Sequence, residues 1–144
     1  SITQTQLEGM EADNPLESEA LNNTEDIPLP ADEQKLYEEC SGDVMLFRLR
    51  GPLSFGAAKG ISERMMLVRN YKVLILDITD VPRLGITATL AIEDMVQEAK
   101  INNRKAYVAG ASGKVKDRLS RFGVEGIVNS RKEALEAALT DLSS

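Results

Sequence analysis

The chain has 144 residues with a net charge of -6, and it is 42% hydrophobic and 28% charged, the composition of one ordinary domain large enough to bury its own core. A single cysteine, Cys40, and no histidine exclude an internal disulfide, histidine acid–base chemistry and metal sites built on His or a Cys cluster. No apolar run approaches the roughly 20 residues that cross a bilayer, and no signal-peptide pattern opens the chain.

Charge is unevenly divided. Residues 1 to 43 hold 12 of the 23 acidic groups and, of the 17 basic ones, only Lys35, so a strongly acidic arm precedes a mildly basic globule. The arm, residues 1–30, reads as a linker with short helical turns, interrupted by Pro15 and closed by Pro28-Leu29-Pro30. It is either a solvated spacer kept extended by its own charge or a segment that lies against the basic face, a role a membrane-embedded partner would also fill.

From Ala31 to Cys40 a short helix is expected, with Leu36, Tyr37 and Cys40 on one apolar edge and acids in the first turn to suit the helix dipole. Val44 to Arg50 alternates as a strand does, and Gly51-Pro52 ends it. Ser54 is placed to cap a helix over Phe55 to Arg69, whose buried stripe would be Phe55, Ala58, Ile61, Met65 and Val68. Val73-Leu74-Ile75-Leu76-Asp77 has no polar alternation, which predicts a central strand buried on both faces. Pro82 forces that strand to end by about Asp80.

After Gly85 the apolar period becomes helical. Ile86 to Asn102 predicts the longest helix, with Ala88, Ile92, Met95, Val96 and Ala99 inward and Glu93, Asp94, Gln97 and Lys100 outward. Lys105 to Ala109 is another strand, and Gly110-Ala111-Ser112-Gly113 opens a helix over Lys114 to Phe122, capped by Gly123. Glu125 to Val128 makes a last short strand. Ser130 and Glu133 fit a capping box for the final helix, with Leu135, Ala138, Leu139 and Leu142 inward. Strands alternating with helices predict an α/β layer fold around a small, mostly parallel central sheet flanked by helices.

Two turns carry candidate chemistry. Gly85, Ile86, Thr87 and Ala88 stand at a helix N-terminus, where unpaired N–H groups favour an anion or a phosphorylated side chain; the bland job for Thr87 is to cap the helix. Gly110, Ser112, Gly113 and Lys114 suggest a phosphate-contacting turn. Val108 and Val115 occupy the positions where a true phosphate loop needs Gly and Ser or Thr, so anion or nucleotide contact there is weak at most. Asp77 and Asp80 lack the spacing of a phosphotransfer pair, and loop hydrogen bonds are the simpler role. Lys114, Lys116, Arg118 and Arg121 crowd one helix, either as a solvated face or as a surface for a membrane or an acidic partner. No reader motif for nucleic acid appears.

The run Arg50-Gly51-Pro52-Leu53-Ser54-Phe55-Gly56-Ala57-Ala58, followed by Val73 to Asp77 and on through Val81-Pro82 to Thr87-Ala88, resembles the STAS domain, in particular the cytoplasmic C-terminal STAS domain of bacterial SulP-type anion transporters. Among these the bicarbonate transporters are most similar, and the resemblance covers about Val44 to Leu139. It implies a STAS (anti-sigma-factor-antagonist-like) fold over residues 31–144, and a non-catalytic regulatory and dimerisation domain of a transporter moving bicarbonate coupled to sodium, or else sulfate. The resemblance also implies a site on the cytoplasmic face of the inner membrane, the transmembrane domain of the same transporter as partner, a homodimer and regulatory proteins. No cofactor, metal or catalytic residue is expected.

The alternative is a free-standing anti-sigma-factor antagonist, a phospho-switched binding module. That branch carries Asp-Ser-Ser-Gly or a close relative where this chain has Gly85, Ile86, Thr87 and Ala88. Thr87 keeps a hydroxyl at the acceptor position; the acid and the flanking Ser and Gly are gone. A third class, a small enzyme, lacks a convergent acid–base pair or nucleophile.

Overall fold

The computed structural model describes residues 28–144; the linker and short turns expected for residues 1–27 lie outside them. Chain order is α1 (Ala31–Glu39), β1 (Val44–Arg50), α2 (Phe55–Met65), β2 (Val73–Asp80), α3 (Ile86–Ile101), β3 (Lys105–Ala109), α4 (Gly113–Arg121), β4 (Ile127–Val128) and α5 (Arg131–Leu142). The four strands pair in the order β1-β2-β3-β4, and every pairing is parallel.

This order dictates how the layers form. Each strand-to-strand crossover steps one place in the same direction, and right-handed crossovers then put every connecting helix on one face. The opposite face has to be covered by the terminal helices. Accordingly one cluster gathers Phe47, Leu74, Leu76 and Val108 from the sheet with Ile61, Ile92, Met95 and Leu119 from α2, α3 and α4. A smaller cluster on the other side joins Val44, Leu46, Val73 and Ile75 to Cys40, Ala134, Leu135 and Ala138, with Leu29, Leu36 and Tyr37 packed against it. β2 feeds both clusters, which is why its sequence shows no alternation. Each fully buried Leu, Ile or Phe contributes about 1.5–3 kcal/mol.

Parallel strands also fix polarity. Each of α2, α3, α4 and α5 begins where a strand ends, so their N-termini gather at the carboxyl edge of the sheet. α1 runs the same way: its first-turn residues Asp32 and Glu33 pair with Lys132 and Arg131 at the start of α5. The described chain therefore enters at this edge too.

The expected inward residues of α3 are all buried, and Ser54 accepts from the Ala57 N–H at 3.1 Å as a cap should. Several expectations need correction. α2 stops at Met65 rather than Arg69, because Leu67 and Val68 donate to the carbonyls of Arg64 and Met65 three residues back and close the turn. Phe55 is 47% exposed, not part of the buried stripe. It sits six residues before Ile61, about 120° around the helix from it. β4 shrinks to Ile127–Val128, and α4 starts one residue early at Gly113. The capping box is displaced: Ser130 accepts from the Glu133 N–H, but the Glu133 carboxylate accepts from Asn129 rather than from Ser130. Leu139 and Leu142 are half-buried.

Candidate functional site

The carboxyl edge is where charge and backbone polarity converge. Asp77, buried near the end of β2, accepts from the backbone N–H of Thr79 at 3.1 Å and from its hydroxyl at 2.6 Å. Its other oxygen accepts from Arg131 Nη1 at 3.0 Å and lies 3.9 Å from Arg48 Nε. The same Arg131 guanidinium donates to both carboxylate oxygens of Glu33, at 2.6 and 3.3 Å. Desolvation works to lower the Arg131 pKa, but its hydrogen bonds to Glu33 and Asp77 outweigh it and hold the guanidinium above its usual range. A single cation thus joins α1, β2 and α5. The loop hydrogen bonding expected for Asp77 is replaced by bonds to Thr79 within β2 and by buried ion pairing, because the strand runs on to Asp80.

Gly110 closes the same region from β3. Its φ is +84°, and a Cβ there would lie 2.1 Å from Thr79 Oγ1 and 2.9 Å from the Thr79 Cα. Only glycine allows β3 to end this close to β2. Packing against Thr79 therefore accounts for the first glycine of the Gly110–Lys114 turn.

On the other side of the edge, the β2–α3 loop faces α4 across a groove of about 350 Å³ lined by Pro82, Arg83, Leu84, Gly85, Lys114, Val115 and Arg118. Leu53 bridges to Leu84 and steadies the loop from β1. Arg118 Nη1 donates to the Leu84 carbonyl, tying α4 to the loop. Arg83 and Lys114 are exposed. The fold thus brings the two candidate turns together, with Gly85 from one and Lys114 from the other lining the same groove. Ile86 and Thr87 are exposed in the first turn of α3, Ala88 is buried, and Ser112 is exposed at the start of α4.

The capping role read for Thr87 is not what the helix uses. Gly85 is the N-cap, without a side-chain cap bond, and the buried Thr89 hydroxyl donates back to the Gly85 carbonyl at 2.8 Å. Thr87 sits inside the helix, too late to cap it.

Residues 37–138 match the family described as the STAS domain, which is well over half of the chain. The chain is a STAS domain. It is 36% identical over 137 residues to the bicarbonate transporter BicA of a Synechocystis species, and 34% identical over 134 residues to the protein of the same name from a Picosynechococcus species. The alignments cover 88% and 86% of this chain but 24% of each transporter, so the chain spans about a quarter of the length of these relatives. Among solved structures, the SulP transporter STAS domain of Vibrio cholerae superposes with a TM-score of 0.62 at 25% identity, covering 90% of this chain and 98% of that one. The α/β STAS fold expected from the sequence and its kinship with SulP transporter domains are both shown.

Sequence reasoning passed over the ion-paired centre of this STAS domain, though three signals pointed to it. Asp77 interrupts an otherwise apolar buried run, Val73 to Ile78, and a carboxylate there needs a partner. Glu33 falls on the inward edge of α1, three to four residues before Leu36 and Tyr37 and seven before Cys40. Arg131 opens α5, where the helix dipole disfavours a cation unless carboxylates hold it.

Proposed function

We propose that this STAS domain is the cytoplasmic regulatory and assembly domain of a SulP-type anion transporter, and that the parent protein moves bicarbonate with sodium. The observation that carries this reading is the alignment of 88% of the chain at 36% identity with a transporter named for bicarbonate. No described helix is long and apolar enough to cross a membrane, so the ion path belongs to a membrane domain that this chain adjoins. Its contribution is to fold, to pair with a second copy and to modulate that partner. The test is bicarbonate uptake into vesicles from cells with and without the parent gene, with and without a sodium gradient. Gene-dependent, sodium-dependent uptake is expected; gene-dependent uptake of sulfate alone, or none of either, overturns the bicarbonate assignment. Sedimentation of the chain at high concentration tests assembly, and a monomer throughout removes the dimer.

A phospho-switched binding module is the second reading, and the exposure of Thr87 in the first turn of α3 favours it. Gly85, Ile86 and Ala88 supply neither the acid nor the flanking hydroxyl that the antagonist branch offers its kinase. Mass spectrometry after exposure to native lysate with ATP decides between the two, and unmodified Thr87 beside a modified control ends the switch. Anion contact at Gly110, Ser112, Gly113 and Lys114 belongs to the same proposal; Lys114→Ala is expected to weaken binding of inorganic phosphate if that turn is used.

A further inference from the structure

We propose that the acidic arm of this chain, residues 16–26, docks in the groove between the β2–α3 loop and α4, with its carboxylates against Arg83, Lys114 and Arg118. This contact is independent of which anion the parent protein carries.

Three observations point to it. The groove is cationic: Arg83, Lys114 and Arg118 line it, and no carboxylate of the described residues does so. Asp117, on α4, is exposed and outside the lining. Arg83 and Lys114 form no ion pair among the described residues, and the groove also opens between the first turns of α3 and α4, whose dipoles favour negative charge. By contrast, the cations on the α1–α5 side are already engaged, Arg131 with Glu33 and Asp77 and Lys132 with Asp32.

The second observation is the arm itself. Leu16-Glu17-Ser18-Glu19-Ala20-Leu21-Asn22-Asn23-Thr24-Glu25-Asp26 carries four acids and no base. The third is where the described chain begins. Leu29 packs on the smaller cluster and Ala31 opens α1 beside the first turn of α5, at the carboxyl edge. The groove lies on that same edge. Glu25 and Asp26 stand two or three residues before Pro28, and Glu17 and Glu19 nine to eleven, a reach of up to about 30–40 Å in extended chain. The edge of a four-stranded sheet spans only about 15 Å at the usual strand spacing.

The physical consequence is a strap. A chain leading into α1 that also binds across the strand ends fixes how the domain is presented to whatever precedes it. High salt or a competing anion would release it, because these surface charges are screened beyond about 3 Å in 1 M salt.

The test uses the full 144-residue chain with a spin label on Ser18→Cys. Buried Cys40, 2% exposed and with its thiol pKa raised by burial, is expected to stay unlabelled under native conditions, and the parent chain treated with the same reagent checks this. At low ionic strength the amide signals of Gly85, Ile86, Lys114 and Val115 are expected to lose most of their intensity. The loss should disappear in 1 M salt, in Arg83→Glu/Lys114→Glu, and in a chain with Glu17→Gln, Glu19→Gln, Glu25→Gln and Asp26→Asn. Arg83 and Lys114 are exposed, and circular dichroism verifies that each variant keeps the fold. No intensity loss at these amides, or a loss that survives the charge substitutions, overturns the proposal. Isotope-labelled chain mixed with unlabelled, spin-labelled chain is expected to show no loss; a loss in that mixture assigns the arm to a second copy and overturns docking within one chain.

Discussion

Where α2, α3 and α4 close one face of the sheet with a broad apolar layer, α1 and α5 close the other with a smaller cluster and an ion-paired triad of Glu33, Arg131 and Asp77. The difference follows from topology. Right-handed crossovers leave one face to the chain ends, and two end helices bury less area than three connecting ones. A buried triad adds directional bonds where area is scarce, at the cost of dependence on every member. α1, into which the acidic arm leads, is thus held by this triad as well as by the smaller cluster.

The sharpest way to break this contrast is Arg131→Met. It leaves two largely buried carboxylates without their shared partner, and a loss of about 3–5 kcal/mol in chemical unfolding is expected. α1 should loosen first. Alkylation of Cys40 at the end of α1 should therefore speed up at denaturant concentrations well below the global transition. Retained stability with unchanged alkylation would show that the triad does not hold α1.

On the apolar face, Ile92→Ala is expected to cost about 2–4 kcal/mol through the cavity it leaves. Here Cys40 should become reactive only with global unfolding. Early alkylation in this variant would erase the distinction between the faces.

A pH profile sharpens the comparison on the α5 side. The Tyr107 hydroxyl donates to Asp141, and burial, aided by that carboxylate, raises its pKa from 10.0 to about 12. The folded state then keeps a proton that the unfolded state releases between these values. Stability present below pH 10 is accordingly lost as pH rises toward 12. Tyr107→Phe should flatten this part of the profile; an unchanged slope would assign the alkaline loss to other groups.

Smaller still, Ser130→Ala removes the hydroxyl that accepts from Glu133 and should cost about 1 kcal/mol. Lys100→Ala removes an ion pair exposed on both partners and should change stability by no more than about 0.5 kcal/mol. If these two effects came out equal, local capping would add nothing to the anchorage of α5.

Much of this architecture is legible along the chain because its signals are local. Val73 to Leu76 without polar alternation, Pro82 as a strand stop, Ser54 and Ser130 as caps and Lys105 to Ala109 as a strand all depend on near neighbours. The exposure of Phe55 is not legible there, because which side of a short helix is covered depends on what lies beyond it. At the candidate site the two turns were found, but their meeting was not. Gly85 and Lys114 line one groove only because β2 and β3 lie side by side and their helices return over the same face.

The sequence by itself determined the alternation of strands and helices, the central place of Val73–Asp80 and the separation of an acidic arm from a basic globule, since periodicity, turn residues and charge are properties of neighbours. Only the tertiary structure decided that Glu33, Asp77 and Arg131 share one guanidinium, that Gly110 must yield its side chain to Thr79, and that the carboxyl edge gathers five helix starts. Those facts join residues up to 98 positions apart; no local pattern encodes such a distance, and the order of strands in the sheet sets it.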